Sequence, residues 1–187
     1  MTSAFIEGVE KTVEKAFSIT DYKGKYLVIV FYQSDWEKDC QNILQSFSSL
    51  HDKFVSTGCA VVACSTDGAK GHRCWINTEK EDGGFGGDLN IPLWSDPSGA
   101  LAVQFDLFDE EEFQCLNGIV VIDDGGVVRH AMTTSLECDD TASNCLELVK
   151  LLKVYKSEED NQVEQKTQST NVRLSASFDK VSFQNLE

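Results

Sequence analysis

The side chains best able to do covalent chemistry here are seven cysteines: Cys40, Cys59, Cys64, Cys74, Cys115, Cys138 and Cys145. No two of them form a C-x-x-C pair, so their spacing disfavours a zinc site or a paired redox centre. The count is odd, which points to free thiols in a reducing compartment rather than a disulfide framework. Cys40 stands apart because it falls near the start of a helical pattern, where free backbone N–H groups and the helix dipole favour a thiolate. The competing reading is packing. Cys40 shares an apolar stripe with Ile43 and Phe47, and a buried cysteine commonly serves as a small inert hydrophobe. On position alone the packing role carries the greater weight.

Other candidates are weaker. The loop GGFGGDLNIP contains no G-x-G-x-x-G and leads to a proline-bearing strand instead of a helix, so nucleotide binding is rejected. Asp106, Asp109, Glu110, Glu111 and Glu112 lack the alternating ligand spacing of a calcium loop and read as a solvated segment. His51, His72 and His130 are far apart and carry no partner pattern, which assigns them to surface or packing. No cofactor and no metal is expected.

The elements that position Cys40 follow from periodicity. YLVIVFY, from Tyr26 to Tyr32, is too continuously apolar for a half-exposed strand and predicts a central strand covered on both faces. Downstream, Cys40, Ile43, Phe47, Leu50 and Phe54 recur at helical spacing, with Ser34 and Glu37 reading as a capping box. CAVVACS predicts a second buried strand. A helix through KGHRCWINTEK, the glycine loop, a strand in IPLWSDPS and a short helix ALAVQF come next. GIVVIDDGGVVRHAM reads as an antiparallel hairpin. From Asp139 to Tyr155, Ala142, Cys145, Leu146, Val149 and Leu152 form one helical stripe. The expected architecture is an α/β layer fold with a mixed central β-sheet flanked by helices. Residues 1–155 form the domain, and 156–187 are a C-terminal tail by composition, docking on their own or a neighbouring subunit.

With 31 acidic against 16 basic residues, the formal charge is −15. Such a surface repels phosphate backbones and anionic lipids, which excludes nucleic acid and electrostatic membrane binding as first readings. No apolar run approaches the roughly 20 residues of a membrane span, and the N-terminus lacks a signal-peptide pattern, so a soluble, cytoplasmic protein is expected.

Taken in order, DYKGKYLVIVFY, HRCWINTEKEDGGFGGDLNIPL, WSDPSGAL, NGIVVIDDGGVVRHAM and the closing KVSFQNLE resemble the typical two-cysteine peroxiredoxins over nearly the whole chain. The resemblance implies a thioredoxin-like fold, a homodimer and a decamer-like ring. It also implies a peroxide-reducing cysteine in a PxxxTxxC motif, and the aligned stretch QSDWEKDC puts Cys40 at that position. The motif's proline is Gln33 and its threonine Glu37, and Pro-Thr-Glu after the cysteine becomes Gln41, Asn42, Ile43. Two family arginines fall at Gly99 or Ala100 and at Asn117. Loss of the arginine at Asn117 together with its glutamate partner, at Ile43, leaves no unpaired buried charge. The resolving cysteine is absent from Lys156 to Glu187, and KVSF stands where the family docks a Tyr-Phe pair.

Thiolate attack on peroxide needs a lowered thiol pKa and donors aimed at the departing oxygen. Glu37 and Asp39 oppose that charge, and only Lys38 and the helix N-terminus favour it. The leading expectation is therefore a peroxiredoxin-like pseudoenzyme with a structural, scaffolding or chaperone-like role. The alternative is an atypical thioredoxin-dependent thiol peroxidase or redox sensor using Cys40. A weaker third reading is a module of a larger assembly that meets a basic partner.

Overall fold

The computed structural model describes residues 6–10, 13–134 and 140–181, with side chains beyond residue 163 and those of 6 and 13–15 left aside. The chain divides into two compact units, Met1–Val149 and Lys150–Glu187.

The first unit is built on β3 (Tyr26–Phe31), every residue of which is buried as the apolar run requires. It pairs in parallel with β4 (Cys59–Ser65), which pairs in parallel with β5 (Leu93–Ser95). On its other side β3 runs antiparallel to β8 (Gly118–Ile122), which turns into β9 (Val128–Thr133) through the expected hairpin. A hairpin of β1 (Ile6–Glu10) and β2 (Val13–Phe17) adds to the β5 edge, giving the order β2-β1-β5-β4-β3-β8-β9. The mixed sheet is as the sequence predicts; the N-terminal hairpin is an addition to it. Two short strands, β6 (Phe108–Asp109) and β7 (Gln114–Cys115), pair around the acidic segment. There the Asp109 carboxylate accepts the N–H groups of Glu111 and Glu112, so it closes a turn.

Alternation along the strands splits the core in two. Leu27, Ile29 and Phe31 join Val62, Cys64, Val120 and Ile122 on one face, with Trp94 and Leu107 in the same cluster. Leu101 and Ala102 of α4 (Ala100–Gln104) pack there too. Each such side chain contributes roughly 1.5–3 kcal/mol on full burial. On the opposite face the Tyr32 ring meets Trp75 of α3 (Ala69–Asn77).

The predicted helix around Cys40 starts later than its capping signal suggests, and it is interrupted. It divides into α1 (Lys38–Ser49) and α2 (His51–Ser56), with Glu37 as the N-cap of α1. Ser34 and Glu37 form no capping box, because Trp36 adopts a left-handed backbone (φ 71°) that breaks the helical path between them. Cys40, Ile43 and Phe47 form the buried face as expected.

Helix α5 (Thr141–Val181) buries Ala142, Cys145, Leu146 and Val149 in the first unit. It then continues far beyond Tyr155, so the backbone of most of the expected tail is helical. Glu, Lys and Gln in that stretch are good helix formers despite their polarity. Docking by KVSF lies outside the described residues, as does Cys138.

Candidate active site around Cys40

Cys40 lies in the first turn of α1, with no exposed surface. The backbone of Ser34 and Gln33, on the loop leading into the helix, favours a thiolate on its sulfur. Two other effects oppose it. Burial is the strongest influence, and Glu37 adds to it, with the Cys40 thiol donating to Glu37 Oε2 at 3.7 Å. Together they push the thiol from 9.0 up to about 11. Among the described residues, no lysine or arginine contributes to this shift. Lys38 faces solvent.

The two positions aligned with arginines are occupied in different ways. Gly99 is buried and left-handed (φ 66°), and a Cβ there would fall 2.2 Å from the Phe108 ring. A side chain at 99 has no room without moving that ring. Ala100 is exposed at the start of α4. Asn117 leaves its Oδ1 buried and without a partner among the described residues, a cost of about 1–3 kcal/mol.

The glycine loop acts as a clasp. The N–H groups of Gly83, Gly84, Phe85, Gly86 and Gly87 all go to carbonyls of residues 75–80, leaving none to cradle a phosphate. Gln41 Nε2 donates to the Gly84 carbonyl at 2.6 Å, which ties the turn holding Cys40 to this loop. Trp75 Nε1 donates to the Gly83 carbonyl at 2.9 Å.

Of the other thiols, Cys59, Cys64, Cys115 and Cys145 are buried, and Cys74 on α3 is the one exposed cysteine among the described residues. Burial raises Cys64 well above its ordinary value and pushes Cys115 and Cys145 up to about 12, so all three stay protonated.

His72 departs from a simple packing role. It is wholly buried, with Nδ1 at 2.9 Å from Asp35 Oδ2 and Nε2 at 3.2 Å from the Trp94 carbonyl. The Tyr32 hydroxyl donates to Asp35 Oδ1 at 2.9 Å. The sequence holds one signal of this: Ala69, His72, Trp75 and Ile76 share the buried face of α3, where a histidine needs polar partners. Among the described residues, no group of three or more His, Cys, Asp or Glu is placed to hold a metal ion.

A seven-stranded mixed sheet with a cysteine in the first turn of the helix after its central strand defines a thioredoxin-like thiol protein of the peroxiredoxin type. The AhpC/TSA family matches residues 7–131, and the chain belongs to that family. It is 39% identical over 115 residues to Peroxiredoxin-4 of Dictyostelium discoideum, covering 62% of this chain and 44% of that protein. It is 36% identical over 136 residues to the mitochondrial thioredoxin-dependent peroxide reductase of Mus musculus, covering 73% and 52%. The chain thus spans about half the length of these curated relatives. The solved structure of Plasmodium yoelii thioredoxin peroxidase I superposes with a TM-score of 0.76 at 26% identity, covering 82% of this chain and 88% of that one.

Proposed function

We propose that the chain is an atypical thiol peroxidase or redox sensor that acts through Cys40. The observation that carries this reading is the place of Cys40 in the first turn of α1, the helix that follows β3, where free backbone N–H groups and the helix dipole favour a thiolate. Family membership, and relatives named as thioredoxin-linked peroxidases, support it over the pseudoenzyme that motif loss alone suggests.

In the reaction, the Cys40 thiol first releases its proton. The thiolate sulfur then attacks one peroxide oxygen; an S–O bond forms as the O–O bond breaks. Sulfur is oxidised by two electrons to a sulfenic acid, and the departing oxygen takes up a proton and leaves as water or an alcohol. A second thiol displaces the sulfenic hydroxyl as water to give a disulfide, and a dithiol reductant returns both sulfurs to thiols. Cys74 or an outside thiol fits the resolving role, since the other described cysteines are buried.

The chemistry is slow in this pocket. Among the described residues no arginine is placed to act on the Cys40 sulfur, and each lost preorganised donor costs about 100- to 1000-fold in rate. The sulfur is also buried, so the site must open before peroxide can reach it. A homodimer or ring, a cytoplasmic location and a place in a larger assembly belong to the same proposal. No described helix is long and apolar enough to cross a membrane.

The pseudoenzyme remains the second reading, and one observation favours it: the sealed Cys40 thiol is hydrogen-bonded to a carboxylate. Peroxide consumption coupled to a thioredoxin system separates the two. The proposal expects slow turnover that disappears in Cys40→Ser, whereas equal background rates in both proteins establish the pseudoenzyme.

A further inference from the structure

The buried polar network of Tyr32, Asp35 and His72 has no part in the chemistry above, yet it meets the loop that covers Cys40. Asp35 is next to Ser34, one of the backbone groups that hydrogen-bond the sulfur. Four elements hold Asp35 in place. His72 of α3 contacts both its carboxylate oxygens, at 3.0 and 2.9 Å, and Tyr32, directly after β3, donates to Oδ1 at 2.9 Å. The Asp35 N–H donates to Asp67 Oδ2 at 2.7 Å. Asp67 in turn accepts from Ser65 of β4 at 3.1 Å, and its carbonyl accepts from Ser95 of β5 at 2.6 Å.

Both ring nitrogens of His72 face acceptors, the Asp35 carboxylate and the Trp94 carbonyl. The next residue, Trp36, carries the left-handed backbone at φ 71°. A bulky residue takes that conformation only where its surroundings over-determine it, and the fixed Asp35 beside it supplies the constraint. The indole of Trp36 lies against Trp75, on the same helix as His72, with ring centroids 6.4 Å apart.

We infer that His72 is a positioning residue: through Asp35 it latches the loop of residues 33–37 over Cys40 and so sets how often the sulfur meets solvent. The inference rests on Cys40 being the working thiol. It is tested without peroxide, so the two claims can fail separately.

The test is site-resolved alkylation of the reduced full chain, comparing Cys40 with Cys64, which is buried in the sheet-core cluster with Phe31, Val62 and Trp94. In His72→Leu, Cys40 is alkylated about ten-fold faster or more, as local opening becomes more frequent, while Cys64 stays protected. His72→Asn, which keeps a donor for Asp35, restores much of the wild-type protection. Parallel acceleration of both cysteines means general destabilisation and overturns the latch, as does an unchanged Cys40 rate. If His72→Leu does not fold, Tyr32→Phe removes one donor from Asp35 and is read by the same comparison: selective acceleration of Cys40 supports the latch, and any other pattern overturns it. A Cys40 that alkylates selectively in these variants but never reacts with peroxide refutes the proposed activity and leaves the latch intact.

Discussion

Alkylation of Cys40 by iodoacetamide accelerates about ten-fold per pH unit from neutrality upward and levels off only near pH 11, because only the thiolate reacts and the thiol holds its proton to about 11. Burial is the first cause of that shift and Glu37 adds to it, against the backbone donors of Ser34 and Gln33. Near pH 7 the thiolate is then about one part in ten thousand, which by itself makes peroxide reduction slow. The folded thiol keeps its proton above the ordinary 9.0, so its contribution is complete below pH 9 and is lost as pH climbs through about 11. A rate that plateaus below pH 9 would show an activated thiolate and contradict this description of the site.

The largest stability loss at the site is expected from Asp35→Ala. The His72–Asp35 pair is almost wholly enclosed, with side-chain exposures of 0% and 3%. Removing the carboxylate strands the His72 Nδ1 and the Tyr32 hydroxyl in the core, and each buried polar group left without its partner costs about 1–3 kcal/mol. For a domain of this size that lowers Tm by roughly 10 °C. Asp88→Ala is the control. Its ion pair with Lys80 is as short, 2.9 Å, but exposed at 54% and 62%, and pairs of that kind contribute less than about 1 kcal/mol. Equal melting shifts in the two variants would remove the network's special role.

Much of this was legible because burial leaves a strong mark on sequence. YLVIVFY and CAVVACS could only be covered strands, and the spacing of Cys40, Ile43 and Phe47 assigned the buried face of α1. Where local polarity and tertiary burial disagree, sequence was silent. VEKAF reads as a mixed surface segment, yet it completes the β1–β2 hairpin by pairing with Ile6–Glu10. The polar stretch beyond Tyr155 reads as a tail, although its residue types sustain a helix to Val181. The capping signal at Ser34 and Glu37 was locally correct chemistry overridden by the turn at Trp36, which leaves Glu37 to hydrogen-bond the thiol. Likewise Asp35 and His72 are 37 residues apart and meet only when the fold brings α3 to the loop after β3, so no local pattern announces the contact.

The replacements around Cys40 also gain a physical sense. Gly99 makes room for Phe108, and Gln41 anchors the helix start to the glycine clasp.

Whether Cys40 is redox-active is answered most directly by mass spectrometry of the reduced chain after mild hydrogen peroxide with a sulfenic-acid trap present. The account predicts a trap adduct on Cys40, growing slowly at neutral pH and faster as pH rises. A Cys40 that stays unmodified while the exposed Cys74 is oxidised would contradict it.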